Sequence, residues 1–231
     1  DKCWPAFPSQ FGFEPCYVNS RLVSRGIPVA CEVDIYGALS EYIGMCASDD
    51  TVTLLDINNS VPKYIYDEDI VGKYGYKLTD TFMGFHCGNT PQCKMCSNRK
   101  IKYQLIQNRL LENCGEPDFT RGTLEGDIAA SDITFYRLQC DSQGVLRSYI
   151  AEGEVLDVPT RSFGGIGIFA IPEMGRFYRH VLIQKGYPHH GAVAFSHVGK
   201  TLFEVFKYLG VKDIAYNQPK SLPYPTENPF A

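Results

Sequence analysis

The sequence predicts an α/β protein: an open, mostly parallel sheet domain over residues 1–120, then a β-rich, antiparallel, barrel-like domain over residues 121–231. Three observations support this class. Two short apolar runs, Pro28–Cys31 and Val52–Leu55, end on the carboxylates Glu32 and Asp56 and enclose a segment of helical period, which reads as a strand, helix, strand crossover. From Asp132 the apolar period shortens towards two, the spacing of half-buried strands. The composition, 44% hydrophobic and 21% charged over 231 residues, is that of one large or two small globular domains.

Taken in order, Tyr17–Ser24 has helical character, Gly26 ends it and Pro28 opens the first strand. Asp34 caps the crossover helix, because its carboxylate can accept from amides of the first turn. Ile35, Leu39, Ile43 and Cys46 form the apolar face expected to lie on the sheet. Asp49 and Asp50 turn the chain into the second strand. Asn58, Asn59 and Pro62 mark a loop, and a tyrosine-rich segment (Tyr64, Tyr66, Tyr74, Tyr76) follows without a clear period. Thr81–Asn98 finishes a strand and becomes a loop carrying His86, Cys87, Cys93 and Cys96. Lys100–Asn113 reads as a helix, with Tyr103, Ile106, Leu110 and Asn113 in register and Gly115 as its stop. After the boundary, DITFYRLQC and VLRSYIAEGEVLDV are strands joined across Asp141–Gly144. SFGGIGIFAIP lacks the Lys-Ser/Thr of a phosphate loop and is read as close backbone packing, and GRFYRHVLI as another strand. GAVAFS, a helix Val198–Leu209 with Phe203, Phe206 and Leu209 inward, the strand DIAYN and a proline-rich tail complete the chain.

A net charge of −4 leaves no basic footprint for nucleic acid, and no apolar run reaches the roughly 18–20 residues that cross a bilayer. Neither nucleic acid nor membrane is expected as a partner; a small molecule is. Nine cysteines, odd in number and scattered through apolar runs, suit reduced thiols and a cytoplasmic protein.

Glu32 and Asp56 have two readings. They are helix caps or partners of Arg21 or Arg25, or they converge at the carboxyl ends of adjacent strands, where open α/β sheets bind ligands. Glu32 lies between Cys31 and Val33, where an ionised carboxylate needs a partner or a metal, and two carboxylates suit Mn²⁺ or Mg²⁺. In GYPHHGAVAFSHVGK, neighbours on an extended segment point to opposite faces, so one of His189 and His190 would add an imidazole. Two carboxylates and an imidazole make a three-ligand site with open positions, although a histidine can equally be structural. His197 is read as lying behind such ligands or at a helix start. His86, Cys87, Cys93 and Cys96 are donors suited to zinc, without the second pair that structural zinc sites carry; His86 alone is a candidate for the rim of a substrate pocket.

The run ACEVDIYGAL, the strand ending in DINN, GTLEGDI at Gly122–Ile128 and PHHGAVAFSH together resemble, in order and spacing, the L-fucose isomerase and L-arabinose isomerase family in its fucose-isomerase-like branch. The resemblance spans nearly the whole chain. It implies an N-terminal α/β, a central α/β and a C-terminal β-rich domain, of which this chain resembles the last two. The implied activity is a metal-dependent aldose–ketose isomerase, using Mn²⁺ or alternatively Mg²⁺ or Co²⁺, that converts an open-chain sugar through a cis-enediol. The family's Glu of E-x-D-x-x-G-A-L and the Asp ending the next strand match Glu32 and Asp56, as metal ligands and as the pair that moves protons. The second histidine before Gly matches His190 as third ligand. His189 stands where L-fucose isomerases carry Asn and is similar to the His-His of arabinose isomerases, so the resemblance leaves the sugar open; His189 and His86 are the substrate-contact candidates. A homo-oligomer, trimer or hexamer, is implied, its site completed by a neighbour's N-terminal domain. The competing expectations are a non-catalytic sugar- or metal-binding relative, a fragment inactive without that domain, and a zinc-stapled interaction module on Cys87, Cys93 and Cys96.

Overall fold

The computed structural model describes residues 6–7, 10–58, 60–106 and 118–228, with side chains left out at 103–106 and 118–121. Its strands are β1 (Val52–Asn58), β2 (Thr81–His86), β3 (Lys100–Ile106), β4 (Asp118–Asp127), β5 (Ser131–Cys140), β6 (Leu146–Leu156), β7 (Gly165–Ala170), β8 (His190–Ala194) and β9 (Asp213–Tyr216). They form one mixed sheet in the order β3-β4-β7-β2-β1-β8-β5-β6-β9, and β6 also pairs with β7. The six strands from β7 to β6 therefore close into a ring, and every pairing within it is antiparallel. Outside the ring β4 runs parallel to the start of β7, β9 runs parallel to β6, and β3 pairs antiparallel with β4.

The α/β class stands, but the open, mostly parallel first sheet does not form. Pro28–Cys31 makes no strand, and β1 finds antiparallel partners in β2 and β8. The crossover argument needs two strands; Pro28 brings no N–H to a ladder, and the chain turns at Glu32 and Val33, both at positive φ. The boundary expected at residue 120 falls inside β4, and strands from both sides of it are ring neighbours.

Inside the ring Leu55, Phe82, Phe135, Tyr149, Phe169 and Val193 make one buried cluster, joined by Met174, Phe177, Val181 and Leu182. Glycines make room for these rings: a Cβ on Gly84 would overlap Phe169, and one on Gly191 would overlap Phe135. The GIGI stretch is β7 and packs closely as expected, since a Cβ on Gly165 would lie 2.5 Å from Thr90 Oγ1. GRFYRHVLI is not a strand. Met174–Phe177 is α-helical and Tyr178–Ile183 continues it as a π-turn, so Phe177 and Val181, one turn apart, both reach the core. Lys100–Ile106 is a strand rather than the start of a helix: Ile101, Tyr103 and Leu105 alternate with polar residues, a period of two. The rest of that expected helix, 107–113, lies outside the described residues.

The helix Ile35–Ser48 buries Gly37, Ser40, Glu41, Ile43 and Gly44, whereas Ile35 is 75% exposed. The expected apolar face is rotated away because the sheet approaches closely. Tyr136 Oη donates to the Ser40 carbonyl at 2.8 Å, Leu138 N donates to Ser40 Oγ at 3.0 Å, and any Cβ on Gly44 would overlap Tyr136 Oη. The helices Cys16–Val23 and Gly199–Tyr208 and the β5–β6 hairpin form as read, although Leu209 is exposed. Among the described residues no helix is long and apolar enough to cross a membrane.

Candidate functional site

Asp56 on β1 and His190 on β8 are direct cross-strand partners, so their side chains rise from the same face. That face continues through Leu54 and Ala192, which pack towards the Ile35–Ser48 helix. His190 Nε2 lies 3.2 Å from Asp56 Oδ1 and 3.2 Å from Glu32 Oε2, while its Nδ1 lies 2.9 Å from Asp34 Oδ2. Glu32 is not at a strand end. Glu32 and Val33 take φ of 60° and 59°, a left-handed turn that swings the carboxylate back over β1 and β8. Side-chain exposure grades from 9% at His190 through 25% at Asp56 to 58% at Glu32, from floor to rim.

His189 also reaches the site. Its ring centroid is 4.4 Å from that of His190, its Nε2 is 3.8 Å from Asp56 Oδ1, and donor atoms of Glu32, His189 and His190 all lie within 4.8 Å of one another. The two histidines do not point to opposite faces, because β8 begins at His190, and His189, just outside it, escapes strand alternation. His86 ends β2, is buried, and holds Nδ1 3.8 Å from Cys87 Sγ. Burial works against its protonation, but Cys87 and the negative field of Asp56 and Glu32 raise its pKa. Cys87 is driven the other way, down to about 5: its contact with Cys16 outweighs the opposing effect of burial, and His86 adds to it.

Asp34, read from the sequence only as a helix cap, and Arg137, which it did not single out, organise the centre. Asp34 caps the helix by accepting from Gly37 N at 2.8 Å and takes both prongs of Arg137, at 2.7 and 2.8 Å. Arg137 also donates to the His190 carbonyl at 3.3 Å and to Gln139 Oε1 at 3.1 Å. Burial opposes ionisation of Asp34, yet His190 and Arg137 hold its carboxyl far below the usual carboxylate range. An ionised Asp34 only accepts, so Nδ1 of His190 carries a proton and Nε2 is turned to Glu32 and Asp56. A neutral Nε2 would oppose its lone pair to two carboxylate oxygens. Something cationic belongs there: a second ring proton, which Asp34 and Asp56 favour by pushing the His190 pKa up to about 9, or a metal ion. Two carboxylate oxygens and one imidazole nitrogen fit a hard or borderline divalent cation. Arg137 was legible as an oddity, a lone arginine in the apolar strand DITFYRLQC that needs a buried carboxylate. Gly37 was not, although a Cβ there would lie 2.6 Å from Asp34 Oδ2.

The cysteines do not gather. Cys93 Sγ bonds to Thr51 Oγ1 at 3.8 Å, Cys87 turns to His86 and Cys16, and the metal-competent grouping among the described residues is Glu32, His189 and His190. None of the described cysteines forms a disulfide. His197 stands at the start of the Gly199–Tyr208 helix, as one of its two readings had it, and sets Nε2 3.1 Å from the Gly153 carbonyl.

Over residues 84–216 the chain matches the family described as L-fucose isomerase, C-terminal domain. Among curated proteins it is similar to sulfoquinovose isomerases. It is 26% identical over 211 residues to that of Alkalicoccus urumqiensis, covering 88% of this chain and 41% of the relative. It is 26% identical over 225 residues to that of Priestia aryabhattai (93% and 43%), and 27% over 174 residues to that of Clostridium sp. strain MSTE9 (74% and 33%). The chain thus spans less than half the length of these relatives. The family match takes in more than half of this chain, with His86, His189 and His190 inside it, and the chain belongs to the L-fucose isomerase C-terminal domain family.

Proposed function

We propose that this chain carries the cation-binding and proton-moving part of an aldose–ketose isomerase acting on an open-chain sugar, with Glu32, Asp56 and His190 as ligands of a divalent cation, Mn²⁺ or in its place Mg²⁺ or Co²⁺. The supporting observation is the convergence of Glu32 and Asp56 on His190 Nε2, each at 3.2 Å, with Asp34 fixing the ring from behind. A divalent cation bound there would polarise the sugar carbonyl and acidify the neighbouring C–H. The carboxylates do the rest of the work: one takes the proton from C2 while the other carries the hydroxyl proton from O2 to O1, so that a cis-enediol forms, and delivery of the first proton to C1 with C2=O formation gives the ketose. Glu32, on the exposed rim, meets an arriving sugar first, and His189 and His86 flank it as substrate contacts. In the same proposal the working protein is a cytoplasmic homo-oligomer, trimer or hexamer, completed by an N-terminal α/β domain.

Glu32→Gln should abolish isomerisation while leaving the melting temperature within a few degrees, since the side chain is mostly exposed. Turnover of sulfoquinovose, L-fucose and D-arabinose with added Mn²⁺ is the measurement, run on this chain and on the longer protein containing it. A Glu32→Gln protein with most of its turnover would sink the mechanism.

A further inference from the structure

The loop that presents Glu32 is anchored on both sides of its turn. Residues 28–30 make no regular structure, and Glu32 and Val33 are successive non-glycine residues in the left-handed region, which a β-branched side chain enters only when its surroundings impose it. On the far side of the turn Asp34 is locked by Arg137, His190 and Gly37. On the near side the contacts fall on one residue, Val29. Asn89 Nδ2 donates to the Val29 carbonyl at 2.9 Å. The Glu41 carboxyl faces the amide of Val29 and also the amide of Leu54 on β1. Glu41 is 0% and Asn89 1% exposed.

Glu41 is otherwise hard to explain. Its carboxyl oxygens are buried and close no hydrogen bond with the described residues, and burial pushes its pKa up to about 8. Its neighbours on the helix face are Gly37, Ser40, Ile43 and Gly44, so packing alone would favour an apolar residue. An acid at position 41 adds acceptor oxygens between the loop three residues before Glu32 and the strand two residues before Asp56.

We propose that Asn89 and Glu41 are positioning residues of the site: Asn89 holds the Val29 backbone by its C=O, the buried Glu41 carboxyl stands against its N–H, and together they set where the Glu32 carboxylate stands relative to Asp56 and His190. Neither touches the proposed cation or the sugar, and the consequence for cation affinity rests on the reading given above.

Glu41→Leu on the full chain tests this, because size is kept while the acceptors are lost. A merely structural role predicts an unchanged or higher melting temperature and an unchanged loop. The positioning role predicts that amide exchange over residues 27–35 quickens by about tenfold or more while β5 and β6 stay protected. It also predicts that Mn²⁺, followed by electron paramagnetic resonance, binds about tenfold more weakly. Glu41→Gln, which keeps one acceptor, should recover most of both. Should Glu41→Leu fail to fold, Asn89→Ala carries the same two readouts. Unchanged exchange over 27–35 in a folded variant overturns the proposal. If the wild-type chain binds no Mn²⁺ at all, the cation reading falls, and exchange alone decides the role of Glu41 and Asn89.

Discussion

His190 sets the chemistry of the centre through the protons on its two ring nitrogens. Its Nε2 proton and the proposed divalent cation would compete for the same place, so cation binding would release a proton. With the pKa at about 9, Mn²⁺ affinity should fall by about tenfold for each pH unit below 9, and a titration calorimeter run in buffers of differing ionisation heat should register about one proton released per ion. Without the cation the sign for stability is opposite. A folded-state pKa raised from 6.5 to about 9 stabilises fully below pH 6.5, and that contribution disappears as pH rises through 9. Asp34 makes a second prediction. In Asp34→Asn the amide can turn its NH₂ towards Nδ1, which moves the ring proton to Nε2 and blocks the cation, while the buried Arg137 loses its counter-charge. Loss of stability of about 3–5 kcal/mol in denaturant titrations and a 10- to 100-fold weaker Mn²⁺ affinity are expected. Glu32, Asp56 and the histidine pair were legible because acids and imidazoles in apolar runs require a reason. Asp34 was read only as a cap, because capping explained it fully and nothing local reveals a partner 156 positions away.

The Ile35–Ser48 helix shows what periodicity misses. Its apolar positions Ile35 and Leu39 recur at helical spacing, yet the buried face is the small-residue line Gly37, Ser40, Gly44 with Glu41 beside it. Hydrophobic pattern reports what can be buried; the closeness of the opposing strand decides what is. Tyr136 fixes that closeness through its bond to the Ser40 carbonyl. Gly44→Ala should therefore destabilise by about 1–3 kcal/mol even though alanine is the better helix former, because the added methyl meets the Tyr136 hydroxyl and forces the helix off β5. Gly44→Ala combined with Tyr136→Phe, which removes that hydroxyl, should recover part of the loss. Equal melting temperatures for wild type and Gly44→Ala would show that the helix is free to shift.

At the scale of the molecule, β1 and β2 precede residue 120 and β5 to β8 follow it, yet they are joined in one ring, β1 beside β8 and β2 beside β7. The sequence revealed β1, β2, β5, β6, β8 and β9 and the antiparallel habit of the second half, but it read β3 as a helix and two non-strands as strands, and register between strands more than a hundred residues apart has no local signature. The ring has a consequence for unfolding. Removing β1 would strip β8 and β2 of partners together, and with them the floor of the site, because Asp56 pairs with His190 on one side and with Phe85 on the other. Two independently folding parts divided at residue 120 would give two transitions in denaturant. A ring built from both parts gives one, so fluorescence of the described core and far-ultraviolet dichroism should trace the same midpoint. Amide exchange should group β1, β2 and β5 to β8 at a single opening free energy, with the outlying β3 opening more easily. Addition of Mn²⁺ should raise that shared midpoint as a whole, since the proposed ligands, drawn from the loop, β1 and β8, would tie the cation to the closed ring rather than to any one strand.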